Sequence, residues 1–151
     1  MKSNAEIAVY GVHFAPSQFR SDYYRVLAEM FSEVQKENFK KFEDEYMRLN
    51  PFSQHDEVLK VYVDEYESPA GFYAGVTACI KDAINQNEFT GYQWIDADVN
   101  FGECQIFVYP YIPATRAFLI TVEEIDALMR KYIAPLLKAP VEAVWFLLCM
   151  E

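Results

Sequence analysis

The sequence predicts one α+β domain spanning residues 1–151, built on a mixed, mostly antiparallel sheet of five to six strands with about three helices, in the order β-α-β-α-β-β-β-α-β. Three observations predict it. The chain has 151 residues and is 52% apolar, which suffices for a single core and is too hydrophobic for disorder. Residues 7–14 and 141–150 are almost continuously apolar, as strands buried on both faces are. Between residues 92 and 109 the pattern changes to alternation, the period of a strand with two unlike faces.

The first run, 7–14, is expected to pair with the last, 141–150, so that both ends of the chain supply central strands. Pro16 and Ser17 close the first strand, and Ser21 or Asp22 can cap a long helix reaching about Leu49, where Asn50 and Pro51 stop it. Tyr23, Val26, Leu27, Met30, Phe31 and Val34 keep helical spacing. Phe39, Phe42, Tyr46 and Leu49 follow after a five-residue step, which predicts a bend or break near Asn38. Residues 57–66 fit two periods: Leu59, Val61 and Val63 alternate, whereas Val58, Tyr62 and Tyr66 recur every four. Their β-branched content favours a strand.

Ser68 and Pro69 open a helix, because proline at the first helical position has no amide to leave unpaired. Phe72, Val76, Ile80 and Ala83 mark its buried face and it ends near Gln86. Gly71 and Gly75, one turn apart, allow a neighbouring backbone to pack closely. No phosphate-binding glycine pattern is present.

Residues 92–109 read as a hairpin. One face collects Ile95, Ala97, Val99, Cys104, Ile106 and Val108. The other collects Tyr92, Trp94, Asp96, Asp98, Gln105, Phe107 and Tyr109. Matching apolar to apolar selects a four-residue loop, 100–103, with Gly102 free to take a positive φ; it pairs Asp98 with Gln105, Asp96 with Phe107 and Trp94 with Tyr109. Beyond Pro110 and Pro113, residues 116–120 predict a short strand. Thr121 and Glu124 form a capping box for a helix whose face is Ile125, Leu128, Met129 and Tyr132, and Pro135 and Pro140 bracket the exit to the last strand.

Charge and composition limit the function. Thirteen Lys and Arg against 23 Asp and Glu leave a net charge of −10, which disfavours direct contact with nucleic acid or an anionic membrane. The basic trio Lys36, Lys40 and Lys41 is interleaved with acids and makes no patch. Cys79, Cys104 and Cys149 are scattered and read as buried thiols of a reducing compartment; with only His13 and His55 beside them, no zinc site is indicated. Asp96, Asp98 and Asn100 suggest a calcium loop, but Phe101 stands where the turn needs glycine and Phe107 where the bidentate glutamate belongs. No metal or cofactor is implied. A Cys104 and His13 dyad lacks any activating environment, so no catalytic residue is assigned and the balance is against an enzyme. There is no signal-peptide pattern, and the longest apolar run, 143–150, is too short to span a bilayer, which predicts a cytoplasmic protein.

From Asp82 to Thr115 there is no Lys or Arg, yet aromatics and acids alternate; residues 43–67 add eight acids against Arg48 and Lys60. Buried aromatic anchors in an acidic field suit a basic protein partner. The expected function is therefore a small acidic interaction module, such as an inhibitor or immunity-type protein that mimics nucleic acid and occludes a basic surface. Its expected partner-binding residues are Tyr92, Trp94, Asp96, Asp98, Glu103, Phe107 and Tyr109. The alternatives are a ligand-binding, nucleotide-binding or hydrolytic domain with its pocket over the same hairpin, and a homodimer that buries that face.

Overall fold

The computed structural model describes the backbone of residues 5–66, 72–89, 93–98, 106–111 and 122–150 and the side chains of 10–15, 17–66, 75–89 and 122–145. Among these residues are four strands, β1 (Ala5–Phe14), β2 (Gln93–Asp98), β3 (Ile106–Tyr111) and β4 (Val144–Met150). Five α-helices accompany them: α1 (Tyr23–Glu29), α2 (Glu33–Leu49), α3 (His55–Asp64), α4 (Phe72–Glu88) and α5 (Val122–Tyr132). The sheet order is β2-β3-β1-β4, and every pairing is antiparallel.

The expected sheet of five to six strands with three helices is thus overturned. The described chain runs β-α-α-α-α-β-β-α-β, and helix, not sheet, is its main substance. Two local errors account for most of the difference. Residues 57–66, expected as a strand, belong to α3: Val58, Leu59 and Val63 are buried on one helical face, and Asp56 and Glu57 sit in the first turn, where the helix dipole favours negative charge. The expected helix from Ser21 to Leu49 is two helices, and the break comes at Met30–Ser32, not near Asn38.

A capping box makes that break. Ser32 is extended (φ −69°, ψ 167°); its Oγ accepts from the Gln35 amide at 3.1 Å, and the Gln35 side-chain oxygen accepts from the Ser32 amide at 3.0 Å. The Gln35 side chain is fully buried and donates onward to the Cys79 carbonyl at 3.0 Å, which fastens the start of α2 to α4. Ser32 also bonds Gln86 of α4. A polar pair buried this way is satisfied on every side, which is the condition for tolerating it.

The terminal strands do pair, from Ala5 with Met150 to Gly11 with Val144. Only β1 is central; β4 ends the order of the described sheet, contrary to the expectation for both. A second short junction supports this arrangement. The segment after β1 meets the segment before β4 through the Phe19 and Leu137 bridge, with Arg20 donating to the Leu136 carbonyl and Lys138 to the Gln18 carbonyl, each at 2.8 Å.

The core lies between the sheet and the helices. Val12 and Phe14 of β1, Leu27 of α1, Val63 of α3, Val76, Ile80 and Ile84 of α4 and Ile125 and Tyr132 of α5 are all buried in one cluster. The apolar face foreseen for α5 is the one observed. Gly75 lets α4 meet the end of α3: a Cβ there would stand 2.2 Å from the Asp64 carbonyl oxygen. Cys79 is a buried free thiol, as expected. The Ser68 and Pro69 start, Gly71, the 100–103 loop, Cys104, the 116–120 strand and the Thr121 cap lie outside the described residues.

Candidate functional site

The hairpin exists, but its register differs by one residue from the expected one. Asp96 pairs with Val108, Asp98 with Ile106, Trp94 with Pro110, Ala97 with Phe107 and Ile95 with Tyr109. The expected partners of Asp96 and Trp94 were Phe107 and Tyr109. A slip of one moves a whole strand's positions to the other face. Trp94, Asp96 and Asp98 therefore share a face with Ile106 and Val108, while Phe107 and Tyr109 occupy the opposite one with Ala97 and Ile95. Tyr92 and Glu103 lie outside the described residues.

The reason is the third strand. β3 pairs simultaneously with β1, Val108 with Val12 and Ile106 with Phe14. Val12 and Phe14 are buried, and the β1 pairing sets Val108 opposite Val12 and Ile106 opposite Phe14, so the register of β3 is fixed from its other edge. Matching within the hairpin alone has no access to that constraint.

A different surface gathers aromatic rings and carboxylates. α2 and α3 form an antiparallel arm, and Gln35 is the buried residue of the long helix α2. A seam of rings runs outward along the arm from the core. Phe31, 5% exposed, meets Tyr62 at 6.0 Å; Tyr62 meets Phe39 at 5.3 Å and Phe42 at 5.2 Å; Phe42 stacks on Tyr46 at 5.7 Å. Cover falls along this line: Phe39, Phe42, Tyr46 and Met47 are half-buried, Leu49 is 65% exposed and Phe52 is 96% exposed.

A turn holds Phe52 at the apex. Ser53 donates to the Asn50 carbonyl at 3.1 Å, and Pro51 takes the second position of the turn, where its fixed φ is favoured. The Asn50 amide and side chain both bond the Tyr46 carbonyl, so the end of α2 is closed. Around this tip stand Asp44, Glu45, Asp56 and Glu57, all exposed; Glu45 pairs with Arg48 at 2.5 Å. His55 caps the inner side, bonded to Glu43 and edge-on to Phe39 at 5.6 Å. Residues 43–66 hold seven carboxylates against two cations, Arg48 and Lys60, and Arg25 of α1 lies 3.8 Å from Asp56.

Four tyrosines tie the elements together by donating to carboxylates. Tyr10 of β1 bonds Asp126 of α5 at 2.7 Å, Tyr23 of α1 bonds Asp64 of α3, Tyr66 bonds Asp82 of α4 at 2.7 Å, and Tyr132 of α5 bonds Glu88 of α4 at 3.1 Å. Burial, reinforced by these carboxylates, raises all four hydroxyls above the ordinary tyrosine value, Tyr10 to about 12. The bond from Lys131 at 2.6 Å holds Glu88 below the usual carboxylate range and raises Lys131 in return. These four bonds and the Glu88–Lys131 pair link the helices to one another and to β1.

One open groove of about 480 Å³ lies between α5, β1 and the run into β4, floored by Tyr10 and Met129 and flanked by Asp126, Arg130 and Glu142. Among the described residues no group of three or more His, Cys, Asp or Glu could hold a metal ion, and no helix is long and apolar enough to cross a membrane. Comparison of the chain with protein-family models, with curated proteins and with solved structures returns no match.

Proposed function

We propose that this chain is a small acidic interaction module that docks the outer end of its α2–α3 arm onto a basic surface of a partner protein. The supporting observation is the aromatic seam that leaves the core and ends at Leu49 and Phe52, held outward by the Pro51 turn among exposed carboxylates. In this reading the two apolar side chains enter a recess and Asp44 and Glu57 meet Lys or Arg at its rim. The rings supply residence time and the charge supplies encounter rate. Where the basic surface is one that grips nucleic acid, the bound arm competes with it, as an inhibitor would.

The test uses Leu49→Ser with Phe52→Ser. Both positions are exposed, so folding stability should change by no more than about 0.5 kcal/mol each. A partner recovered from the host with wild-type bait should then bind the purified double variant at least about ten-fold more weakly. Raising salt from roughly 0.02 to 0.15 M should slow association with wild type. A partner that binds both forms equally, or with no salt dependence, removes this reading. A wild-type mass in solution of twice 17.6 kDa that returns to 17.6 kDa in the variant would instead assign the arm to self-association.

A further inference from the structure

We propose that the groove between α5, β1 and the run into β4 is a binding site for a small zwitterion of the α-amino acid class. This is independent of the arm. Asp126 and Arg130 stand at i and i+4 on α5 in the order that normally forms an ion pair. Here the Asp126 carboxylate is instead turned onto the Tyr10 hydroxyl at 2.7 Å, and among the described residues Arg130 has no ion pair. Tyr10 is itself held by the edge of Trp145, ring centroids 5.1 Å apart, so the carboxylate is oriented by a buried and braced donor. One carboxylate oxygen accepts from Tyr10 and the other remains to accept from a ligand.

The charges select the ligand. Asp126 and Glu142 supply two negative groups and Arg130 one positive group around the same space. A purely cationic molecule meets Arg130, and a purely anionic one meets two carboxylates. A molecule carrying both signs a few ångströms apart meets an opposite charge at each end, its carboxylate on the Arg130 fork and its ammonium on Asp126 or Glu142. Met129 and Val141 offer an apolar wall for a side chain, and about 480 Å³ is ample for an amino acid.

The 151-residue chain is titrated with each standard L-amino acid at about 10 mM while amide shifts and thermal midpoint are followed, since a ligand that binds only the folded state raises its stability. At least one should raise the midpoint and shift the amides of Met129, Arg130 and Glu142; its decarboxylated amine and its deaminated acid should not. Arg130→Gln should weaken that binding about ten-fold or more, and Glu142→Gln less, both being exposed and tolerated by the fold. The proposal fails if no amino acid produces the shifts, if the single-charge analogues bind as well, or if Arg130→Gln binds unchanged.

Discussion

Gly75 shows how one atom can set the distance between two helices. Replacing it with alanine would gain about 1 kcal/mol of helix propensity. Against that, the new Cβ would lie 2.2 Å from the Asp64 carbonyl oxygen, 2.7 Å from its carbon and 2.9 Å from the Tyr66 nitrogen. These are backbone atoms and cannot rotate away, so α3 and α4 must separate, and overpacking of this kind costs about 1–3 kcal/mol or more. The overpacking term wins. Gly75→Ala should lower the urea midpoint by the equivalent of up to about 2 kcal/mol; a raised midpoint would show that the helices do not meet there. The packing role of Gly75 was legible in the sequence, because a glycine inside a helical pattern invites it. The role of Gln35 was not. A glutamine between apolar positions reads as a surface residue, and its burial follows only from its partners, the Ser32 cap of its own helix and Cys79 of α4.

Elements were read correctly where one period dominated and misread where two competed. β1, β4, α4 and α5 have single clear patterns, and each takes the expected element type along the chain apart from its ends, although β4 lies at the end of the described sheet and not at its centre. At residues 57–66 both periods are present, and the β-branched content favours a strand. The helix prevails because Val58, Leu59 and Val63 together face the core beside α2 and α4, which no strand alternation achieves. At Ser32 the capping-box spacing to Gln35 was in plain sight, but apolar spacing continued across it and concealed the break. The hairpin register belongs to a third kind: it was decided from two strands when β1 imposes it on both. Cysteine pairs test it. Asp96→Cys with Val108→Cys, or Ala97→Cys with Phe107→Cys, should close a disulfide on mild oxidation, since neighbouring pairs alternate between wide and close Cα spacing and one of the two suits a bridge. Asp96→Cys with Phe107→Cys should not. Peptide mapping after oxidation reads the result, and preferential closure of that last pair would restore the expected face of Trp94, Asp96, Phe107 and Tyr109.

At the scale of the molecule, the same acids that give the chain its charge of −10 also join its parts. Tyr10 with Asp126, Tyr132 with Glu88, Tyr66 with Asp82 and Tyr23 with Asp64 link β1 to α5, α5 to α4, the end of α3 to α4, and α1 to α3. Each hydroxyl is raised first by burial and then by the carboxylate it bonds. An unfolded tyrosine ionises near pH 10, whereas Tyr10 in the fold keeps its proton to about 12. The folded state thus binds more protons than the unfolded state in this window, so the stabilisation is complete below pH about 10 and disappears as pH rises toward 12. Glu88 behaves in the opposite sense: its lowered value contributes above the ordinary 4.5 and is lost as pH falls through the folded value. The urea midpoint should therefore decline at both extremes, and the alkaline decline should follow tyrosinate absorbance. Tyr10→Phe should make it shallower, because one group that holds its proton only in the folded state is gone. A midpoint that stays level from pH about 10 to 12 would mean that these hydroxyls are not held in the fold as the four bonds require.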